Sequence, residues 1–161
     1  MFFEIMDFLN NPQTQIIFQL LLAALLGGLI GLERESIGKE AGLRTYSLVS
    51  LGAALFTIIS YEAFRLFAGQ TEVVFDPSRI IGQIVLGVGF LGAGLIIFRG
   101  FHIEGLTTAA GLWVAAAIGV AIGTGFYFPA IFATFLAIGI LAGLRMVEEK
   151  IFGKESEELK K

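Results

Sequence analysis

The chain has no cysteine, one histidine and three prolines in 161 residues. Without cysteine it can form no disulfide, no thiolate metal site and no cysteine nucleophile. A single histidine excludes a zinc site built from several imidazoles. Charged residues are scarce too, at 16%, where soluble domains have about 25%. Hydrophobic residues make up 56% of the chain, which points to a membrane as its environment.

Five long apolar runs define the fold class. They are Thr14–Leu32, Arg44–Glu62, Ile80–Phe98, Leu106–Gly123 and Phe126–Leu144. A hydrocarbon core of about 30 Å needs roughly 20 helical residues, so each run can cross a bilayer. The runs lack the alternation of apolar and polar residues found in membrane barrels. The sequence predicts an all-α, polytopic membrane protein with five transmembrane helices, whose immediate partner is the lipid bilayer.

The positive charges predict the orientation of these helices. If the amino terminus is outside, nine of the eleven basic residues face the cytoplasm, and only Arg65 and Arg79 lie outside. The nine are Arg34, Lys39, Arg44, Arg99, Arg145, Lys150, Lys154, Lys160 and Lys161. Because Lys and Arg are retained on the cytoplasmic side, we expect an N-out/C-in topology.

Three regions follow from this arrangement. Residues 1–12 combine Glu4 and Asp7 with aromatic and aliphatic side chains, which predicts an interfacial segment and not the basic start of a signal peptide. Residues 13–144 form the transmembrane domain, and residues 145–161 form a charged cytoplasmic tail. Within the domain, Gly31-Leu32 and Gly42-Leu43 recur 63 residues later. This spacing suggests a parallel repeat of two helical hairpins.

The densest group of charges lies between the first two runs, as GLERE followed by GLRT. With the polar residues of the second cytoplasmic loop it forms a candidate functional cluster: Glu33, Arg34, Glu35, Arg44, Thr45, Arg99, Glu104, Thr107 and Thr108. Carboxylates are ligands that Mg²⁺ accepts, so Glu33, Glu35 and Glu104 are candidate metal ligands. The three arginines could instead pair with the three glutamates, and the equal numbers favour ion pairing. A third interpretation is an orientation signal alone.

Glycine placement predicts how the helices meet. Small residues let backbones approach closely inside lipid, where water does not drive association. The candidate packing positions are Gly27, Gly31, Gly89, Gly92, Gly94, Gly111, Gly119 and Gly123. Some of these small faces could form a homodimer contact. The stretch GVGFLGAG lies within a span and not in a βαβ unit, so it is not a dinucleotide fingerprint. We expect no nucleic acid partner.

Polar groups inside the spans are few. No acid, lysine or arginine lies in the middle of any run, where transporters commonly hold coupling residues. Gln19 and Gln83 are the nearest polar groups, and hydrogen bonding between helices accounts for each of them. An ion transporter or channel that uses the face of Glu33, Glu35 and Glu104 is therefore the alternative function. A catalytic nucleophile, base and oxyanion site cannot be assembled, so we expect no enzyme.

The ordered elements LLAALLGGLIGLERE, AGLRTYSLVSLGAALF, QIVLGVGFLGAGLIIFRG and IEGLTTAAGLWVAAAIGVAIGTGFY extend over most of the membrane portion. In these the chain resembles the bacterial MgtC/SapB family of inner-membrane proteins. The resemblance implies a multi-pass protein of the cell inner membrane, linked to magnesium homeostasis and growth in low Mg²⁺. It also implies regulation of other membrane complexes, and a virulence role in some members. No resident cofactor is implied, although Mg²⁺ binding is possible.

Two departures from the family pattern bear on this function. Virulence-type members often have Asn at the position of Thr107 and Cys at that of Val114, which argues against a macrophage-type or ATP-synthase-directed role. Many members also carry a soluble carboxy-terminal domain, whereas the residues after Leu144 form only a short charged tail. The sequence predicts a regulatory inner-membrane protein, with a homodimer and a membrane protein complex as expected partners.

Overall fold

The structure, a computed structural model, describes residues 11–67, 76–148 and 150–151. Its elements are α1 (Pro12–Ser36), α2 (Leu43–Phe67), α3 (Pro77–Leu95), β1 (Ile97–Arg99), β2 (His102–Glu104), α4 (Leu106–Gly123) and α5 (Tyr127–Ile138). A π-helical turn, Gly139–Gly143, continues α5 to Glu148. These five helices are long and apolar enough to cross a membrane. The all-α fold with five spans is thus confirmed, while the orientation and the parallel repeat stay predictions.

Two helices begin at an Asx-Pro pair. The Asn11 side chain accepts a hydrogen bond from the Gln13 N–H at 2.9 Å, and Pro12 opens α1. Asp76 accepts from the Ser78 hydroxyl at 2.7 Å and from the Ser78 N–H at 2.9 Å, ahead of α3. These two bonds, the hydroxyl first, lower the pKa of Asp76. Each cap satisfies an N–H that has no partner within its own helix, which fixes where the helix starts.

Helix α4 lies at the centre of the bundle. About half of its residues are buried, against less than a fifth for α3 and α5. Ala115, Ile118 and Ile122 of α4 form the core with Ala23 and Ile30 of α1 and with residues of α2. Helices α2 and α4 approach each other closely at Gly119. The backbone carbonyl of Ser50 occupies the place that a side chain at this position would take. Small residues therefore set the spacing of the central helices.

The observed boundaries correct the predicted spans in four places, one of which is α2, which runs to Phe67 where a span to Glu62 was predicted. Helix α1 runs through GLERE to Ser36, so the predicted loop from Glu33 is wrong at its start. Helix α3 ends at Leu95, where a span to Phe98 was predicted. A β-hairpin follows it, turning at Gly100, whose φ of 64° suits a tight two-residue loop. The last helix continues beyond Leu144 to Glu148, because a π-helical turn extends it.

The termini lie largely outside the described residues. The predicted interfacial segment, residues 1–12, is described only at Asn11 and Pro12. Of the predicted tail from residue 145, Arg145 to Glu148 extend the last helix.

Candidate functional site

The end of α1 and the start of α2 form a compact joint at one end of the bundle. We call it the charged end, because it holds the GLERE and GLRT segments. Gly38, with a φ of 70°, ends α1. Its N–H donates to the Glu35 carbonyl at 3.0 Å and the Lys39 N–H donates to the Arg34 carbonyl at 3.1 Å. This pair of bonds is a Schellman motif, for which glycine supplies the left-handed residue. The chain can therefore reverse within six residues and start α2 at Leu43.

Glu35 closes this joint. Its carboxylate Oε2 accepts a hydrogen bond of 2.8 Å from the Leu43 N–H, at the first residue of α2. A side chain on Gly42 would meet the same oxygen at 2.5 Å, and one on Gly31 would meet the Gly42 carbonyl oxygen at 2.7 Å. The glycines of GLERE and AGLRT thus make room for the cap and for the close approach of the two backbones. A negative charge is also favourable at a helix start.

Arg34 lies inside the bundle end, with 2% of its surface exposed. Its Nε donates to Oε2 of the neighbouring Glu33. The second oxygen of Glu33, Oε1, lies 3.8 Å from Nη1 of Arg145 on the last helix. Glu33 is itself largely buried, with 12% of its side chain exposed. The three side chains form an ion-pair group that joins the ends of α1 and α5.

A cavity of about 590 Å³ opens beside this group. It is lined by residues of α1 and its turn, of the hairpin and α4, and of the last helix, including Arg34, Lys39, Glu40, Glu104, Thr107, Thr108, Arg145 and Glu148. Thr108 is buried, whereas Thr107 and Glu104 are exposed. The wall carries cationic, anionic and hydroxyl groups beside apolar side chains such as Ile37, Leu106 and Leu141, so the cavity has mixed polarity.

Three further residues of the predicted cluster, Glu35, Arg44 and Thr45, do not line the cavity. Glu35 caps α2, and Arg44 is exposed on the first turn of α2 with Thr45 half-buried beside it. Arg99 ends β1. Among the described residues, no group of three or more His, Asp or Glu side chains could hold a metal ion. Glu33, Glu35 and Glu104 are therefore not arranged there as one ligand set for Mg²⁺.

The predicted packing glycines fall into two groups. A side chain on Gly27, Gly31, Gly111, Gly119 or Gly123 would overlap α2 or the turn before it, and one on Gly92 would touch Ala109 at 3.6 Å. At Gly89 and Gly94 nothing lies within 4 Å of the position that a Cβ would take. The first group therefore packs within the chain, and the second faces outward from α3.

Sequence reasoning overlooked two residues of this end. Arg145 was placed in the tail, since nothing in the sequence shows that the last helix continues past Leu144. Tyr46 follows GLRT directly and is fully buried. Its hydroxyl donates to the Thr108 carbonyl at 2.8 Å, which ties α2 to the first turn of α4. The buried aromatic next to the motif was the signal that could have identified it.

Sequence comparison identifies a family and relatives of this chain. The MgtC family profile matches residues 20–150. The chain is 44% identical to YhiD of Escherichia coli (strain K12) over 141 residues, covering 88% of this chain and 66% of YhiD. It is 48% identical to the MgtC protein of Brucella abortus (strain 2308), covering 76% of this chain and 48% of that protein.

The protein SrpB of Synechococcus elongatus is 38% identical over 88% of this chain and 81% of its own length. The chain thus spans from about half to two thirds of the YhiD and MgtC proteins. No solved structure matches it. The matched residues include most of α1, the other four membrane helices and the charged end, and the chain belongs to the MgtC family.

Proposed function

We propose that this protein acts in magnesium homeostasis in the bacterial inner membrane, as a regulator that contacts another membrane protein. The magnesium link rests on the names of relatives: MgtC in Brucella, and YhiD of E. coli, described by its name as a candidate magnesium transporter. The inner membrane is inferred from the family together with the five apolar helices. We further propose that the protein works as a homodimer.

One observation favours a regulator over a transporter. In the described helices, acidic and basic side chains lie only within the first three or the last six residues of each span. Of the buried hydroxyls inside the spans, Thr57 donates to the Ala53 carbonyl of its own helix at 2.8 Å and Thr134 to the Ala130 carbonyl at 2.9 Å. The Ser60 hydroxyl donates to the Pro77 carbonyl of α3 at 3.3 Å, and the Ser50 hydroxyl has no hydrogen-bond partner among the described residues. Acidic and basic side chains at the midplane, which mark ion pathways in transporters, are absent from the described part of this chain. The charged end instead offers an exposed surface.

The second candidate is a cation transporter, favoured by the name of YhiD alone. In a single chain the ion would have to pass the apolar core around α4. A transporter would thus require a path between chains, lined by residues that face outward here.

The two functions are separated by measuring rescue and flux with the same protein. We expect the chain to restore growth of a deletion strain in low-magnesium medium. We expect the purified chain, in liposomes that hold a magnesium-sensitive dye, to give no more flux than empty liposomes. Chain-dependent flux would establish the transporter, and failure to restore growth would refute the magnesium role.

The surface that acts can be tested by removing one charge. Arg44→Gln, at the charged end, should lose rescue at normal membrane abundance. Arg79→Gln is the matched control, since its side chain is 83% exposed at the start of α3, at the opposite end of the bundle. Equal rescue by both variants would mean that Arg44 is no part of a functional surface.

A further inference from the structure

The two glutamines inside the spans have different surroundings. Gln19 of α1 donates through Nε2 to the Ile122 carbonyl of α4 at 3.0 Å, so its amide is used within the chain. Gln83 of α3 is exposed, and no described residue hydrogen-bonds to its amide. It lies six residues after Pro77, about 9 Å along the helix at about 1.5 Å per residue. An amide at that depth lacks water, and leaving it unpaired is unfavourable.

Gln83 lies on a face of α3 that the chain leaves open. Gly87, Phe90 and Gly94 follow it at intervals of four, three and four residues, so the four positions lie on one side of the helix. Phe90 is 80% exposed. Nothing lies within 4 Å of a Cβ added at Gly87 or Gly94. The absence of side chains there is therefore not explained by packing within this chain.

We propose that this face, Gln83, Gly87, Phe90 and Gly94, is the contact between two copies of the chain. A second copy inserted in the same orientation places its α3 parallel to the first, with equal residues at equal depth. The two Gln83 amides then meet, and each can donate to and accept from the other. A two-fold contact requires a surface that complements itself in this way. The inference rests on the homodimer proposed above and is independent of the magnesium role.

The shape of the neighbouring groove fits the same occupant. A groove of about 620 Å³ lies between α2 and α3. On the α3 side it is lined by Ile80, Gln83 and Ile84, and further along the helix by Gly87, Val88 and Leu91. Phe90 lies at the depth of these residues in either copy. The exposed ring of one chain can therefore enter the groove of the other, while the glycines allow the backbones to approach. The seven-residue repeat of the pairs Gln83/Phe90 and Gly87/Gly94 is that of two helices in a left-handed pair.

Disulfide cross-linking in native membranes tests the contact, because the chain has no cysteine of its own. Gln83→Cys and Phe90→Cys should form disulfide-linked dimers on mild oxidation. Phe18→Cys and Leu25→Cys are the controls, since they lie six and thirteen residues after the start of α1, matching Gln83 and Phe90 after the start of α3. Phe18 and Leu25 are 55% and 59% exposed, so both are accessible. We expect little dimer from either.

A second variant tests the amide itself. Gln83→Leu, combined with the Phe90→Cys reporter, should lower the dimer yield about threefold or more, the size of effect expected for an interhelical hydrogen bond in a membrane. Gln83→Asn should keep more of the yield than Gln83→Leu, because it retains an amide. An unchanged yield with Gln83→Leu would overturn the pairing of amides.

The remaining outcomes overturn the contact as a whole. If neither Gln83→Cys nor Phe90→Cys forms a dimer, lipid covers this face. Equal yields of disulfide-linked dimer from all four positions would indicate random collision of chains in the membrane. A heavier product that contains a different protein would assign the face to another partner.

Discussion

At the scale of single residues, the GLERE and AGLRT segments are parts of one joint. The Glu35 carboxylate accepts a hydrogen bond from the Leu43 N–H. The glycines at positions 31 and 42 leave space for the backbones of α1 and the following turn to approach each other. The sequence predicted a special role for these residues from their charge. It could not predict a cap that acts across seven intervening residues, because that depends on where the turn at Gly38 sends the chain.

The cap gives the first prediction. Glu35→Ala should lower the stability of the purified protein in detergent by about 0.5–2 kcal/mol, because the Leu43 N–H at the start of α2 loses its acceptor. Glu40→Ala is the matched control, since Glu40 is also an exposed acid of the same turn, and no cap bond to it is described. Thermal unfolding followed by circular dichroism measures the difference. Equal midpoints for the two variants would refute the capping role.

Tyr46 and Gly111 give a second prediction, at the contact of α2 with α4. A Cβ on Gly111 would lie 2.6 Å from the Tyr46 hydroxyl oxygen, which is held by its bond to the Thr108 carbonyl. Gly111→Ala should therefore destabilise the protein by about 1–3 kcal/mol. Tyr46→Phe should cost about 0.5–1.5 kcal/mol by removing a buried hydrogen bond.

The double variant separates this contact from a general effect of each change. In the Tyr46→Phe background the hydroxyl is gone, so Gly111→Ala should cost clearly less than it does alone. Unfolding midpoints of the wild type, the two single variants and the double variant complete the cycle. Additive losses would mean that Gly111 is not constrained by the Tyr46 hydroxyl.

At the scale of elements, the helices were predictable and most of their ends were not. Leu106–Gly123 was predicted to the residue, because an apolar run enclosed by glycines leaves little choice. The end of α3 was missed, since Ile96, Ile97 and Phe98 are as apolar as the helix before them. The hairpin depends on Gly100 and on pairing with His102–Glu104, which hydropathy does not register. Charged ends such as GLERE can likewise stay helical past the apolar run.

The close contact of α2 with α4 gives a prediction at this scale. Gly119→Ala should destabilise the bundle by about 1–3 kcal/mol, because its Cβ would overlap the Ser50 carbonyl and the backbones would have to separate. Gly52→Ala is the control on the facing helix, since nothing lies within 4 Å of its Cβ position. Thermal unfolding of the two variants in detergent measures the difference between them. A midpoint for Gly119→Ala at or above that of Gly52→Ala would place the closest approach elsewhere.

At the scale of the whole molecule, the joint after α1, the hairpin after α3 and the end of the last helix meet at one cavity. An odd number of spans places the two termini on opposite sides of the membrane. The charged end therefore lies on one side as a unit, and the starts of α1 and α3 lie on the other. From the nine-to-two distribution of basic residues we predict the assignment of the charged end to the cytoplasm.

This assignment predicts the accessibility of single cysteines in a chain that has none. Arg79→Cys, at the start of α3, should react with a membrane-impermeant maleimide in intact cells from which the outer membrane has been removed. Lys39→Cys, exposed in the turn after α1, should react only after the inner membrane is permeabilised. Both positions are exposed, so a difference in labelling reports the side of the membrane and not burial. If Lys39→Cys is labelled in intact cells and Arg79→Cys is not, the topology is N-in. The cavity with Glu33, Arg34 and Arg145 would then face outward, and a partner in the cytoplasm could not reach it.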